Sequence, residues 1–183
     1  MRKSSSRCLQ GRSGSPDGPA SRPRATGASS DQCAAAASGG SLTETIGVFA
    51  SGNGLVHPGY LTFRGGHLYV SGVDSGGVYR YDAQTGAFVD KFADTNLVIP
   101  ENFDWGADGD LYVADRGASK VLRFDGVTGD YLGDFATAGL REPIGLRFGP
   151  DGNLYVSNYS GGDVMRFDAT TGALMGPFVP AGS

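Results

Sequence analysis

From Thr45 onward the 183-residue chain contains no cysteine; its two cysteines, Cys8 and Cys33, lie in the first 44 residues. The body therefore has no disulfide and no thiolate metal site. Long apolar runs are also missing. Nothing approaches the roughly 20 residues of a membrane-spanning helix. The best run near the start, Cys33–Ala37 (CAAAA), falls short of the roughly 7–15 apolar residues at the centre of a secretory signal. No 3.6-residue period occurs after Thr45, which argues against helical repeats. Histidine appears only at His57 and His67.

The first 44 residues have no aromatic side chain, and Ser, Gly and Pro supply 19 of them. That composition predicts a disordered low-complexity tail over residues 1–44 and a folded body over 45–183. Six basic residues against three acidic ones give the tail a net charge of +3; nine against sixteen give the body −7. An acidic body repels phosphate backbones, so nucleic acid is not an expected partner.

What is abundant is repetition. Leu68-Tyr69-Val70, Leu111-Tyr112-Val113 and Leu154-Tyr155-Val156 recur every 43 residues. At the same interval come VYRYD (Val78–Asp82), VLRFD (Val121–Asp125) and VMRFD (Val164–Asp168). Thr85-Gly86, Thr128-Gly129 and Thr171-Gly172 follow, then Phe92, Phe135 and Phe178. Aligned without a gap, each copy reads as four short strands. In the third these are Ile144–Phe148, Asn153–Asn158, Val164–Asp168 and Ala173–Val179, with Pro150-Asp151-Gly152 as a hairpin turn. Leu, Tyr and Val are apolar on both faces of the second strand, as in a sheet sandwiched between sheets. A fixed period in the forties with four strands per copy predicts an all-β protein of the β-propeller type. Its three four-stranded blades span 58–99, 100–142 and 143–183, and a lone strand at 46–52 matches the fourth strand of a preceding blade.

The stretch PDGNLYVSNYSGGDVMRFDATTG (Pro150–Gly172) resembles the repeat of NHL and YVTN-type β-propellers. More distantly it resembles gluconolactonase-like and virginiamycin B lyase-like propellers. This resemblance covers Phe49–Ser183. It implies a propeller whose ligands meet loops at one mouth of the central channel, and an extracytoplasmic location. The family spans enzymes and binding scaffolds, so it does not select an activity.

Propellers close with typically 4–8 blades, and three cannot close a ring. Two expectations follow: a gene fragment, or an incomplete ring that a homodimer completes to six blades.

The mouth loops follow each second strand and lead into each first strand. They nominate Asp74, Asp115, Arg116, Asn158 and Tyr159, with His57, Glu101, Asn102 and Glu142 in the entry segments. The gluconolactonase-like resemblance implies a calcium ion held by such entry segments, for which Glu101, Asn102 and Asp104 carry hard oxygen donors. The gap-free alignment places only Gly59 and Gly145 opposite Asn102, so a surface loop is the expectation here. Asp115 and Asn158 end equivalent strands, where Asx side chains cap the following turn. Arg80, Arg123 and Arg166 stand two residues before Asp82, Asp125 and Asp168 on one strand face, which suggests a solvated Arg–Asp ladder. The lyase-like resemblance implies a His and a Glu with magnesium. His67 falls in a hairpin at the opposite mouth, and His57 has no matched Glu in the gap-free alignment.

The function expected is a non-enzymatic module presenting loops to a protein or glycan, with no cofactor. The alternative is a truncated metal-dependent lactonase-, hydrolase- or lyase-like enzyme, with calcium as cofactor if it is lactonase-like.

Overall fold

The computed structural model describes residues 48–182; the tail expected over 1–44 lies outside them. Those residues form twelve strands in three separate four-stranded antiparallel sheets with no helix. Blade 1 holds β1 (Pro58–Arg64), β2 (His67–Gly72), β3 (Gly77–Asp82) and β4 (Phe88–Ala93). Blade 2 holds β5 (Pro100–Trp105), β6 (Leu111–Asp115), β7 (Lys120–Phe124) and β8 (Tyr131–Ala136). Blade 3 holds β9 (Pro143–Phe148), β10 (Leu154–Asn158), β11 (Asp163–Phe167) and β12 (Leu174–Val179). Within each blade the strands pair in chain order, as hairpin-joined strands do. The first strands β1, β5 and β9 pack beside one another and form the hub.

Two apolar layers join the blades. Between blades 1 and 2, Tyr69, Val78 and Phe92 meet Phe103, Trp105 and Leu111. Between blades 2 and 3, Tyr112, Val121 and Ala136 meet Leu146, Leu154 and Phe167. Burying both faces of the middle strand requires apolar side chains in both directions, and all five residues of β6 are buried. A third cluster, Leu68, Val70, Tyr79 and Tyr81, forms the outer face of blade 1.

Aromatic rings set the blade spacing. Tyr69 meets Phe92 edge-on at 5.3 Å and Trp105 of the next blade at 4.9 Å. Tyr112 repeats this with Phe135 at 4.7 Å and Phe148 at 5.1 Å. The edge-to-face geometry is the favoured one for such pairs.

The gap-free alignment fails in the first strand of blade 1. Phe63 pairs with Leu68, whereas Trp105 pairs with Leu111 and Phe148 with Leu154. The first hairpin of blade 1 is therefore one residue shorter, and β1 matches β5 at an interval of 42. Structurally, Pro58 answers to Pro100, Tyr60 to Asn102, and Phe63 to Trp105 and Phe148. Because side chains alternate across a strand, this single step moves Leu61 and Phe63 onto the outer face and turns Tyr60 towards blade 2. There the Tyr60 ring lies 5.1 Å from Phe103.

The described part of the strand expected at 46–52, residues 48–52, is not a strand. Phe49 nevertheless takes the seat of a fourth strand. Its carbonyl oxygen lies against Gly86, leaving no room for a Cβ, as that of Phe92 lies against Gly129 and that of Phe135 against Gly172.

The Arg–Asp ladder also takes another form. Asp82 Oδ1 accepts N–H bonds from Gln84 (3.0 Å) and Thr85 (2.8 Å), Asp125 from Val127 and Thr128, and Asp168 from Thr170 and Thr171. These carboxylates are consumed by their own turns. Two of the three arginines pair elsewhere: Arg80 donates to Asp90 at 3.0 Å, and Arg123 to Asp110 at 2.7 Å and Asp108 at 2.8 Å.

Candidate functional site: the mouth loops

Each blade brings two segments together at the same end: the loop after its second strand and the segment leading into its first. One backbone bond fixes the pair in every blade. Val73 N–H donates to His57 O (3.0 Å), Arg116 N–H to Ile99 O (2.9 Å), and Tyr159 N–H to Glu142 O (3.0 Å).

A buried side chain reinforces the junction. Asp115, fully buried, accepts from Val98 N–H at 2.6 Å and from Ile99 and Ala118 N–H at 3.0 Å each. Asn158 accepts from Arg141 N–H (2.9 Å) and donates to Gly139 O (2.9 Å) and Asp163 Oδ1 (2.7 Å). Asp115 caps its turn through Ala118, whereas the Asn158 side chain bonds no backbone N–H of the turn that follows it; both clamp the entry segment. Blade 1 has Gly72 at this position, and Ser75 Oγ substitutes by accepting from Val56 N–H at 3.1 Å. The sequence carried that exchange as a Gly and a Ser three residues apart, a signal too weak to read without the fold.

The sidewalls of the mouth are three polar pairs. In blade 1, His57 bonds Asp74 through Nδ1. In blade 2, Arg116 Nε stands 2.9 Å from Glu101 Oε1, an ion pair in which the N–H is not aligned as a hydrogen bond. In blade 3, Ser160 Oγ bonds Glu142. Tyr159, 68% exposed, projects beside the last pair. His57 and Glu142 both adopt positive φ, 46° and 49°. With their shared carbonyl role, this makes Glu142 the counterpart of His57, a match hidden by the shortened hairpin.

Deeper in the hub, Asp104 accepts from Trp105 N–H at 3.0 Å and lies 3.4 Å from Arg147. Arg147 also donates to the Tyr60 hydroxyl and stacks over that ring at 5.1 Å, linking blade 3 to blade 1. Asn102 Oδ1 is buried with no partner beside a cavity of about 260 Å³ that Arg147, Tyr155 and Ser157 also line. Glu101, Asn102 and Asp104 thus do not gather: the two carboxylates face arginines, and only Asn102 is uncommitted. Among the described residues no three His, Cys, Asp or Glu side chains could hold a metal together. This donor set does not fit a calcium ion.

Sequence reasoning missed a polar network at the opposite end. Tyr112 donates to Asp108 (2.7 Å), which also accepts from Arg123, beside a cavity of about 450 Å³ between blades 2 and 3. Burial, then the bond to Asp108, holds the Tyr112 phenol protonated well above the usual range.

No protein-family model and no curated protein matches the chain. Solved structures do. A chain of Kuenenia stuttgartiensis hydrazine synthase superposes with a TM-score of 0.58 at 21% identity, over 74% of this chain and 40% of that one. A chain of the nidogen/laminin complex superposes with 0.59 at 20% identity, over 70% and 49%. The computationally designed protein Ika8 gives 0.51 at 16%, over 69% and 37%. The first two contain β-propellers. The chain spans less than half the length of each, and at these identities the likeness shows a propeller-like fold alone.

Proposed function

We propose that this chain is a non-enzymatic β-propeller module of the NHL/YVTN type whose mouth loops present Asp74, Glu101, Asn102, Arg116 and Tyr159 to a protein or glycan partner. Asp115 and Asn158 hold those loops from behind. The observation that carries the reading is the pairing of His57–Asp74, Glu101–Arg116 and Glu142–Ser160. Groups already bonded to each other form a rigid polar rim suited to recognition, and leave no unengaged base beside a nucleophile. The exposed Tyr159 ring adds a flat apolar surface with a polar tip, the amphipathic kind of contact that anchors interfaces. One matched structure is itself a protein complex, nidogen with laminin.

Glycan-array and interaction-panel binding of the whole chain tests this. Tyr159→Ala and Arg116→Ala are expected to lower the affinity for the bound partner at least about tenfold, the effect of one interface anchor, with unchanged melting. Binding indifferent to both changes would overturn it.

A second reading draws on the equivalence of His57 and Glu142: a metal-dependent lactonase-, hydrolase- or lyase-like propeller. It predicts that calcium or magnesium raises the melting temperature of the wild-type chain but not of Glu142→Gln.

A further inference from the structure

We infer that the outer face of blade 1 receives blade 3 of a second copy of this chain, in the register that joins blades 1 to 2 and 2 to 3, so that two chains close a six-bladed ring. The inference rests on the blade faces and stands apart from the mouth loops.

Each internal junction is built from a Tyr–Phe pair on one blade and a third aromatic from the next: Tyr69 and Phe92 with Trp105, Tyr112 and Phe135 with Phe148. Blade 3 offers the same pair outward, Tyr155 and Phe178 at 4.9 Å, with Phe178 58% exposed. At the other end Phe63 holds the register position of Trp105 and Phe148, and it is 62% exposed. The described residues thus contain two halves of one further aromatic triad, at opposite ends. The surrounding apolar positions agree. Leu68, Val70 and Tyr79, which Ala50 and Leu55 of the same chain cover, repeat Leu111, Val113 and Leu122, which accept blade 1, while Val164 repeats Val78 and Val121 on the donating side. An apolar groove of about 360 Å³, lined by Phe49, Leu55, Leu61 and Phe63, runs along the receiving face. Docking therefore continues an interface already present twice. Six blades lie within the range at which propellers close.

The segment from Phe49 to Leu55 sets one condition. Phe49 occupies the fourth-strand seat against Gly86 that β12 of the incoming blade requires, and Ala50 and Leu55 lie on the apolar cluster that the incoming blade would cover. β12 is held to β11 by a strand ladder, whereas the described residues of this segment form none, so the segment yields.

Sedimentation velocity of the full chain across a concentration series tests this. The wild type is expected to reach a discrete dimer. Phe63→Glu and Phe178→Lys, both at exposed positions that leave each chain folded by circular dichroism, are each expected to weaken association at least about 30-fold, because each buries an unpaired charge. Mixing the two variants restores a dimer with one native junction and one Glu–Lys junction, a rescue that only head-to-tail packing allows. Phe49→Ser is expected to tighten association several-fold by emptying the contested seat. A wild type that stays monomeric at every concentration, species larger than a dimer, or a Phe178→Lys chain that still dimerises overturns the inference. An unchanged affinity in Phe49→Ser overturns the shared seat.

Discussion

At the scale of single residues, the molecule is held by side-chain oxygens that accept backbone N–H bonds. Asp115 takes three such donors while fully buried. Replacing it with Ala strands all of them, and we expect Asp115→Ala to destabilise the chain by about 3 kcal/mol in urea unfolding, with Asp115→Asn losing about 2. The amide oxygen still accepts from Ile99 and Ala118, but the amide NH2 faces the Val98 N–H, donor to donor. The turn aspartates give a pH dependence. Asp82 and Asp125, chiefly through the backbone N–H groups of Thr85 and Thr128, and Asp168, chiefly through the Thr171 hydroxyl, titrate below the usual carboxylate value. A lowered native pKa means that the unfolded chain binds protons more readily. The contribution is therefore complete above the unfolded value near about 4 and is lost as pH falls through the lowered native values. Melting temperature should drop on acidification below about pH 4, and less steeply in Asp82→Asn/Asp125→Asn/Asp168→Asn, where the amide oxygen still caps the turn but no longer titrates.

At the scale of elements, the turn after each third strand carries a glycine with two separate duties. Gly129 has φ +80°, and a Cβ there would meet the Phe92 carbonyl of the preceding blade. Gly152 has φ +78° with open space around it. Gly152→Ala isolates the backbone penalty, roughly 1 kcal/mol, whereas Gly129→Ala adds a clash with immovable backbone and is expected to lose about 3 kcal/mol by chemical denaturation. Second, third and fourth strands were legible in the sequence because Leu-Tyr-Val, the Arg-aromatic-Asp ends and the Thr-Gly turns recur at one interval. The first strand of blade 1 was not. Gly66 falls opposite Gly109 at the 43-residue interval and hides the residue missing before it, and the misplaced register concealed both the Tyr60–Asn102 equivalence and that of His57 with Glu142. The one clue was Pro58, which stands 42 residues before Pro100 while Pro143 stands 43 after it. The exit loops and entry segments of the nominated residues meet within each blade, as strand order dictates. Their partners depend on rotamers and on neighbouring loops, as with Ser75 and Ser160, and such contacts leave no trace in spacing.

At the scale of the whole chain, stability is a sum of blades and junctions. Blade 2 has both faces covered; β1 and β12 are mostly exposed along their length. Amide hydrogen exchange is expected to run slowest in β6 and β7 and fastest in β12, with β2 and β10 between. If the ring closes through a second copy, β12 should gain protection with rising protein concentration, while β6 should not.

A row of modules that touch only their immediate neighbours accumulates angular slack at every joint. Arg147 removes it here, since it reaches past β5 to the ring and hydroxyl of Tyr60 while also meeting Asp104. One side chain thereby triangulates three blades. The arc becomes a braced sector with a set pitch, its first and third blades held at a defined angle to each other.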